Sequence, residues 1–141
     1  MKICIIKIKP AGPVQKENKQ VAHKILIVED ESELCDFIKI RLEANNYEVI
    51  TACDGKEGFE KAFQENPDLI LLDLMLPKID GYWVCNLLKN DRRHAKTPII
   101  IVTAKSGAES MKLAKDCGAD AYVVKPFEIS DLLSQIASLL K

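Results

Sequence analysis

Four short apolar runs in this chain each close on a residue that could do chemistry. "KILIV" (24–28) runs into Glu29-Asp30, "LILL" (69–72) into Asp73, "IIIV" (99–102) into Thr103, and "AYVV" (121–124) into Lys125-Pro126. A lone carboxylate in a dry core costs several kcal/mol. Asp73, set between Leu72 and Leu74, therefore needs partners or a surface. Two unit charges about 4 Å apart repel by about 4 kcal/mol at an effective dielectric near 20, so three carboxylates on one edge call for a cation. Carboxylate oxygens suit a hard ion such as Mg²⁺. Zinc is disfavoured, because His23 and His94 fall outside the runs, in a linker and a loop. The same residue types fit phosphoryl transfer. Asp73 can attack as a nucleophile and form an acyl phosphate. Mg²⁺ would bridge it to the phosphoryl oxygens, Lys125 supplies a fixed positive charge, and the Thr103 hydroxyl can donate. Polar residues often end strands, so no single one of these positions carries the inference; the set does. Pro126 allows a cis peptide before it.

The segments around these residues alternate. The pattern predicts strands at 24–28, 48–52, 69–73, 99–103 and 121–125. Between and after them it predicts helices at 32–45, from the cap Asp54 to just before Pro67, at 82–90, near 109–116 with Gly118 closing it, and at 130–140. Leu34, Ile38 and Leu42 share one helical face, and Glu57 stands three residues after Asp54 in a capping-box pattern. Continuously apolar strands alternating with helices imply a doubly wound, five-stranded parallel sheet flanked by five helices. In such a sheet ligands bind beyond the carboxyl ends of the strands. All the polar residues above then share one edge, with Asp73 at the crest of the core rather than inside it.

Composition agrees with one domain of 141 residues and an ordinary apolar fraction of 48%. No apolar run reaches the roughly 18 residues of a membrane span, and "CIIKI" is too short for a signal h-region, so a cytoplasmic protein is expected. The five cysteines, Cys4, Cys35, Cys53, Cys85 and Cys117, are scattered without a CxxC pair and read as reduced, packed thiols. Residues 1–24 hold six Lys and one Glu, whereas the remainder is mildly acidic with no basic stripe for nucleic acid. Residues 1–23 read as a basic extension and linker, with a stray strand through Ile3–Ile8 given little weight. The domain then spans 24–141. Met111 and the leucines of the last helix read as core, and Lys89, Arg92, Arg93 and Lys96 as a solvated charge run.

The motifs "ILIVEDE" (25–31), "LILLDLMLPKIDGY" (69–82), "IIIVTAK" (99–105) and "GADAYVVKPF" (118–127) resemble the response-regulator receiver domain of two-component signalling. The resemblance covers about residues 24–141 and implies the flavodoxin-like (βα)5 fold. It matches Asp73 to the phosphoacceptor, and Glu29, Asp30, Asp73 and the Met75 carbonyl to the Mg²⁺ ligands. Lys125, Thr103 and Ala104 match the phosphoryl-stabilising set, and Thr103 with Tyr122 the switch pair. Pro77 and Gly81 match the turn after the phosphorylation site. It implies a histidine kinase or phosphotransfer protein as donor, from phosphohistidine. It also implies a downstream protein partner on the face of helix 4, strand 5 and helix 5, and self-catalysed phosphorylation and dephosphorylation rather than enzymatic turnover. Direct nucleic-acid or membrane binding is not expected.

Departures from the pattern are informative. Ala121 stands where receivers of winged-helix regulators often have a second Asp, and Gln135 where they often have Arg, which removes charges from their usual dimer face. Met75 and Lys105 occupy the positions that tune phosphoryl lifetime. No output domain follows the last helix, so the chain reads as stand-alone or as a piece of a larger DNA-binding regulator or hybrid histidine kinase. An aspartyl-phosphate phosphatase would want an Asp where Met75 stands. A flavin module would not want the acidic first loop "EDESE". A receiver-like domain that no longer takes phosphate would have lost one of the acids or the Lys.

Overall fold

The computed structural model describes residues 22–140. Five strands, β1 (Lys24–Val28), β2 (Glu48–Ala52), β3 (Leu69–Leu72), β4 (Ile99–Thr103) and β5 (Ala121–Val124), alternate with α1 (Ser32–Ala44), α2 (Gly55–Glu65), α3 (Gly81–Lys89), α4 (Ala108–Asp116) and α5 (Ile129–Leu139). All the pairings are parallel, in the order β2-β1-β3-β4-β5. The doubly wound sheet expected from the alternation is therefore present, with boundaries shifted by a residue at several ends. The sequence extension at 1–23, including the stray strand, lies almost wholly outside the described residues.

Successive residues of a strand face opposite sides, which splits each apolar run between two cores. Leu26, Val28, Ile70, Leu72, Ile99 and Ile101 pack with α2, α3 and α4 through Ala62, Val84, Leu88 and Ala114. Ile25, Ile27, Leu69, Leu71, Ile100 and Val102 pack with α1 and α5 through Ile38, Leu42, Leu132 and Ile136. The capping pattern of α2 is realised. The Asp54 side chain accepts the Glu57 N–H at 2.8 Å, and Glu57 reaches back to the Cys53 N–H at 2.9 Å. Its hydrogen bonds to Cys53 and its ion pair with Lys61 hold the Glu57 carboxyl down to about 2. Gly118 takes φ +96 just past α4, a left-handed conformation that favours glycine at a helix end.

Two expectations change. Met111 is 52% exposed, because α4 turns only Ala114 fully into the core. Lys89 is not a solvated charge: its ammonium donates to the Thr97 carbonyl at 2.9 Å and pairs with Asp120 at 3.2 Å. Arg92, Arg93 and Lys96 are exposed, as expected, with the Arg93 guanidinium over the Phe63 ring at 4.3 Å. Leu113, on α4, is 47% exposed.

His94, placed in a loop by the sequence, is 1% exposed beneath α2. Its ring stands edge-on to Phe63 and its Nδ1 meets the Thr97 hydroxyl at 3.2 Å. Nε2 is buried without a hydrogen-bond partner among the described residues. Burial pushes the imidazole below its ordinary pKa. The unfolded chain therefore takes up more protons below about pH 6.5, and the His94 contribution to stability is full above that value and lost as pH falls through the window below it. Urea midpoints measured between about pH 7 and pH 5 should fall for the native chain and fall less for His94→Gln. Parallel slopes would refute the assignment.

Candidate functional site

The sheet's backbone ladder runs one residue beyond three of its strands. The Glu29 N–H donates to the Ala52 carbonyl at 3.0 Å, the Asp73 N–H to Val28 at 3.1 Å, and the Lys125 N–H to Thr103 at 2.8 Å. These bonds hold the first residue past β1, β3 and β5 in register, so the three side chains meet over one edge. The Lys125 ammonium donates to Glu29 Oε1 at 2.8 Å and to Asp73 Oδ2 at 3.0 Å. Glu29 and Asp73 are 4% and 5% exposed. Asp73 thus sits at the crest of the core, yet buried, and an ammonium answers its charge.

Burial is the largest influence on Glu29 and pushes its carboxyl above the ordinary value, against the bond from Lys125. For Lys125 burial acts downward, but the bonds to Glu29 and Asp73 outweigh it, and the ammonium is held above its usual range. The second oxygens of both acids are also engaged. Asp73 Oδ1 accepts the Met75 N–H at 3.0 Å, and Glu29 Oε2 accepts the Glu31 N–H at 3.2 Å.

Glu29, Asp30 and Asp73 each present an oxygen within 4.8 Å of the others. Asp30 is exposed and forms the open side of the cluster. Oxygen donors only, with net negative charge and one wet side, fit a hard divalent cation that keeps part of its water, as Mg²⁺ does. The second acidic group, Cys53, Asp54 and Glu57, is accounted for by the α2 cap.

The remaining sequence candidates lie around this pocket without all touching it. Thr103, 0% exposed, closes β4, and its hydroxyl accepts the Lys105 N–H at 3.4 Å. Ala104, next in the chain, and the Met75 side chain are exposed. Tyr122 is half-buried, with its hydroxyl donating to the Lys105 carbonyl at 2.9 Å rather than to Thr103. The Lys125–Pro126 peptide is cis. The sequence puts a lysine ammonium opposite the acids without saying which oxygen it reaches; in the structure Lys125 bridges both Glu29 and Asp73. Sequence reading missed Tyr82, whose hydroxyl donates to the Ser110 carbonyl at 3.1 Å and ties α3 to the start of α4.

Gly81 sets the turn after Asp73. Its N–H donates to the Leu74 carbonyl at 3.2 Å, and a Cβ there would overlap the Asp73 carbonyl oxygen and lie 2.6 Å from Leu74 Cα. Asp80 caps α3 by accepting the Tyr82 N–H at 2.7 Å.

The family model described as response regulator receiver domain matches residues 25–137. The chain is 51% identical over 118 residues to the response regulator ArlR of Staphylococcus saprophyticus, covering 84% of this chain and 52% of that protein. It therefore spans about half the length of that relative. A CheY-like response regulator receiver domain from Methanospirillum hungatei superposes with TM-score 0.81 at 33% identity, over 85% of this chain and 94% of that one. The BeF3-activated receiver domain of Klebsiella pneumoniae RstA gives 0.79 at 30% identity, over 84% and 99%.

Two substitutions test the geometry. Lys125→Met strands two buried carboxylates and should cost about 3 kcal/mol in urea unfolding in EDTA. The loss should be larger at neutral pH than near pH 4, where Glu29, held above its ordinary value by burial, takes up a proton. Gly81→Ala, which forces a Cβ into backbone, should cost about 1–3 kcal/mol; an unchanged urea midpoint would show that the turn relaxes freely.

Proposed function

The chain belongs to the response regulator receiver domain family of two-component systems, and on that premise we propose that it is a phosphoacceptor switch in which Asp73 takes a phosphoryl group from phosphohistidine of a sensor kinase or phosphotransfer protein. A receiver of this family is a signalling switch rather than a metabolic enzyme. The observation that carries the proposal is the Lys125 ammonium shared by Glu29 and Asp73, beside the three-carboxylate cluster.

Glu29, Asp30, Asp73 and the Met75 carbonyl would hold Mg²⁺, which supplies positive charge against the phosphoryl oxygens. One Asp73 oxygen attacks phosphorus in line, the N–P bond breaks, and the donor imidazole leaves. Lys125 is the group freed to follow the charge: its bond to Asp73 Oδ2 is exchanged for one to a phosphoryl oxygen. Thr103 and the Ala104 N–H donate to another. Hydrolysis of the acyl phosphate by water returns the carboxylate, and Met75 and Lys105 flank its path. The beryllofluoride form of the RstA receiver supports a phosphoryl-like ligand in this fold.

Phosphorylation adds about −1.5 to −2 charges, as at other phosphorylated side chains. Drawing the Thr103 hydroxyl toward the phosphoryl group removes the acceptor of the Lys105 N–H, and the Lys105 carbonyl is what anchors Tyr122. A two-state element thus runs from Thr103 through Lys105 to Tyr122 and the α4–β5–α5 face, which would bind the downstream partner. Residues 24–141 would act as the receiver, and a longer regulator would use the same site.

Intact mass after acetyl phosphate with Mg²⁺ should show one added phosphoryl group, lost in Asp73→Asn and with EDTA. Tyr122→Ala should label within about twofold of the native chain, while the change in fluorescence of Trp83, the single tryptophan, exposed on α3 two residues past Gly81, is diminished. Labelling of Asp73→Asn at the native level would overturn the assignment.

A further inference from the structure

Two cysteines outside the acidic pocket meet where α3 packs against the end of α4. Cys85, on the inner face of α3, is 0% exposed, and its sulfur donates to the Cys117 carbonyl at 3.5 Å. Cys117 is the C-cap of α4 and half-buried, with its own thiol donating to the Ala114 carbonyl at 3.1 Å. Both belong to the core on the α2–α3–α4 side of the sheet, whereas Cys35 lies on the other side and Cys53 at the start of α2.

We propose that Cys85 and Cys117 form a redox modification site, closed to a disulfide by a hydroperoxide, that pins the C-terminal end of α4 to α3.

The chemistry divides between the two sulfurs. The neighbouring Cys85 side chain draws the Cys117 thiol below the ordinary range, against its burial. The Cys117 side chain, with burial, pushes Cys85 above that range. One half-buried sulfur is therefore disposed to ionise, and a protonated partner stands beside it. The Cys117 thiolate attacks one peroxide oxygen, the O–O bond breaks, and the departing hydroxide takes up the thiol's proton as water. The Cys85 sulfur then attacks the resulting sulfenic sulfur. The S–O bond breaks, and its hydroxyl leaves as water with the Cys85 proton. The two thiols lose two electrons in all, and the peroxide becomes two waters.

Exposure alone would select another residue. Cys53 is exposed, but its thiol donates to Glu57 at 3.2 Å, and that bond raises it above the ordinary value. Closure also has a mechanical consequence. The Tyr82–Ser110 bond already ties the start of α4 to α3, so a bond from Cys85 to Cys117 fastens both ends of the helix. Disulfide formation does not depend on the phosphoacceptor reading. Its effect on the α4 face does rest on that reading, and the measurements below bear on the disulfide and the pinning alone.

Hydrogen peroxide is added to the full chain, the reaction is quenched in acid with alkylation, and tryptic peptides are mapped. The expected product links peptides 79–89 and 116–141, which hold Cys85 and Cys117, with loss of two hydrogens. Cys117 should react at least fivefold faster than Cys53. Amide exchange in α4 should slow severalfold on oxidation and recover with a dithiol. In Cys85→Ser, with its fold checked by circular dichroism, the linked peptide is lost and a dimedone-reactive sulfenic acid accumulates at Cys117. Faster oxidation of Cys53, overoxidation of Cys117 beside a Cys85 still reduced, or unchanged α4 exchange after the link has formed would each overturn the proposal.

Discussion

One ammonium shared between two buried carboxylates governs this molecule. Lys125 leaves the end of β5 and reaches Glu29 beyond β1 and Asp73 beyond β3. In the sheet order β4 lies between β5 and β3, so the strands that carry Lys125 and Asp73 are two spacings apart, about 10 Å, and those that carry Lys125 and Glu29 are three apart, about 14 Å; the side chains close both gaps. Charges this deeply buried are tolerated only when paired and fully hydrogen-bonded. The requirement is met because the ladder bonds at Glu29, Asp73 and Lys125 fix their backbones before their side chains meet. The sheet is in this sense the instrument that sets the charge geometry.

The pocket remains electrostatically unfinished. One ammonium faces Glu29, Asp30 and Asp73, and burial holds the Glu29 carboxyl above its usual range despite that bond. A hard divalent cation would balance the three carboxylates against the one ammonium. The same imbalance makes the site responsive, since each charge that arrives redistributes bonds among a few atoms already in contact. The route outward is short: Thr103 touches the Lys105 N–H, and the Lys105 carbonyl holds Tyr122.

α4 is the element best suited to respond. Only Ala114 of its nine residues is fully buried, and Met111 and Leu113 stay exposed. Its attachments to α3 are few and specific, at Tyr82–Ser110 and Cys85–Cys117. A helix with so little buried apolar surface shifts at low cost. The apolar residues it leaves in solvent suit a partner better than a core.

Much of this was legible in the chain. Continuously apolar runs gave the strands, Asp54 with Glu57 the start of α2, and Gly118 the end of α4, because these are local preferences of backbone and solvent. The polar residues closing the runs marked the site, since a parallel sheet gathers its strand ends on one edge. Tertiary structure alone decided who pairs with whom. It put Lys125 on both acids, drew Lys89 out of its charge run onto Thr97 and Asp120, buried His94 against Phe63, and brought Cys85 to Cys117. Those contacts join residues of different elements, and a side chain's choice of distant partner is set by strand order and helix packing, which no local pattern encodes.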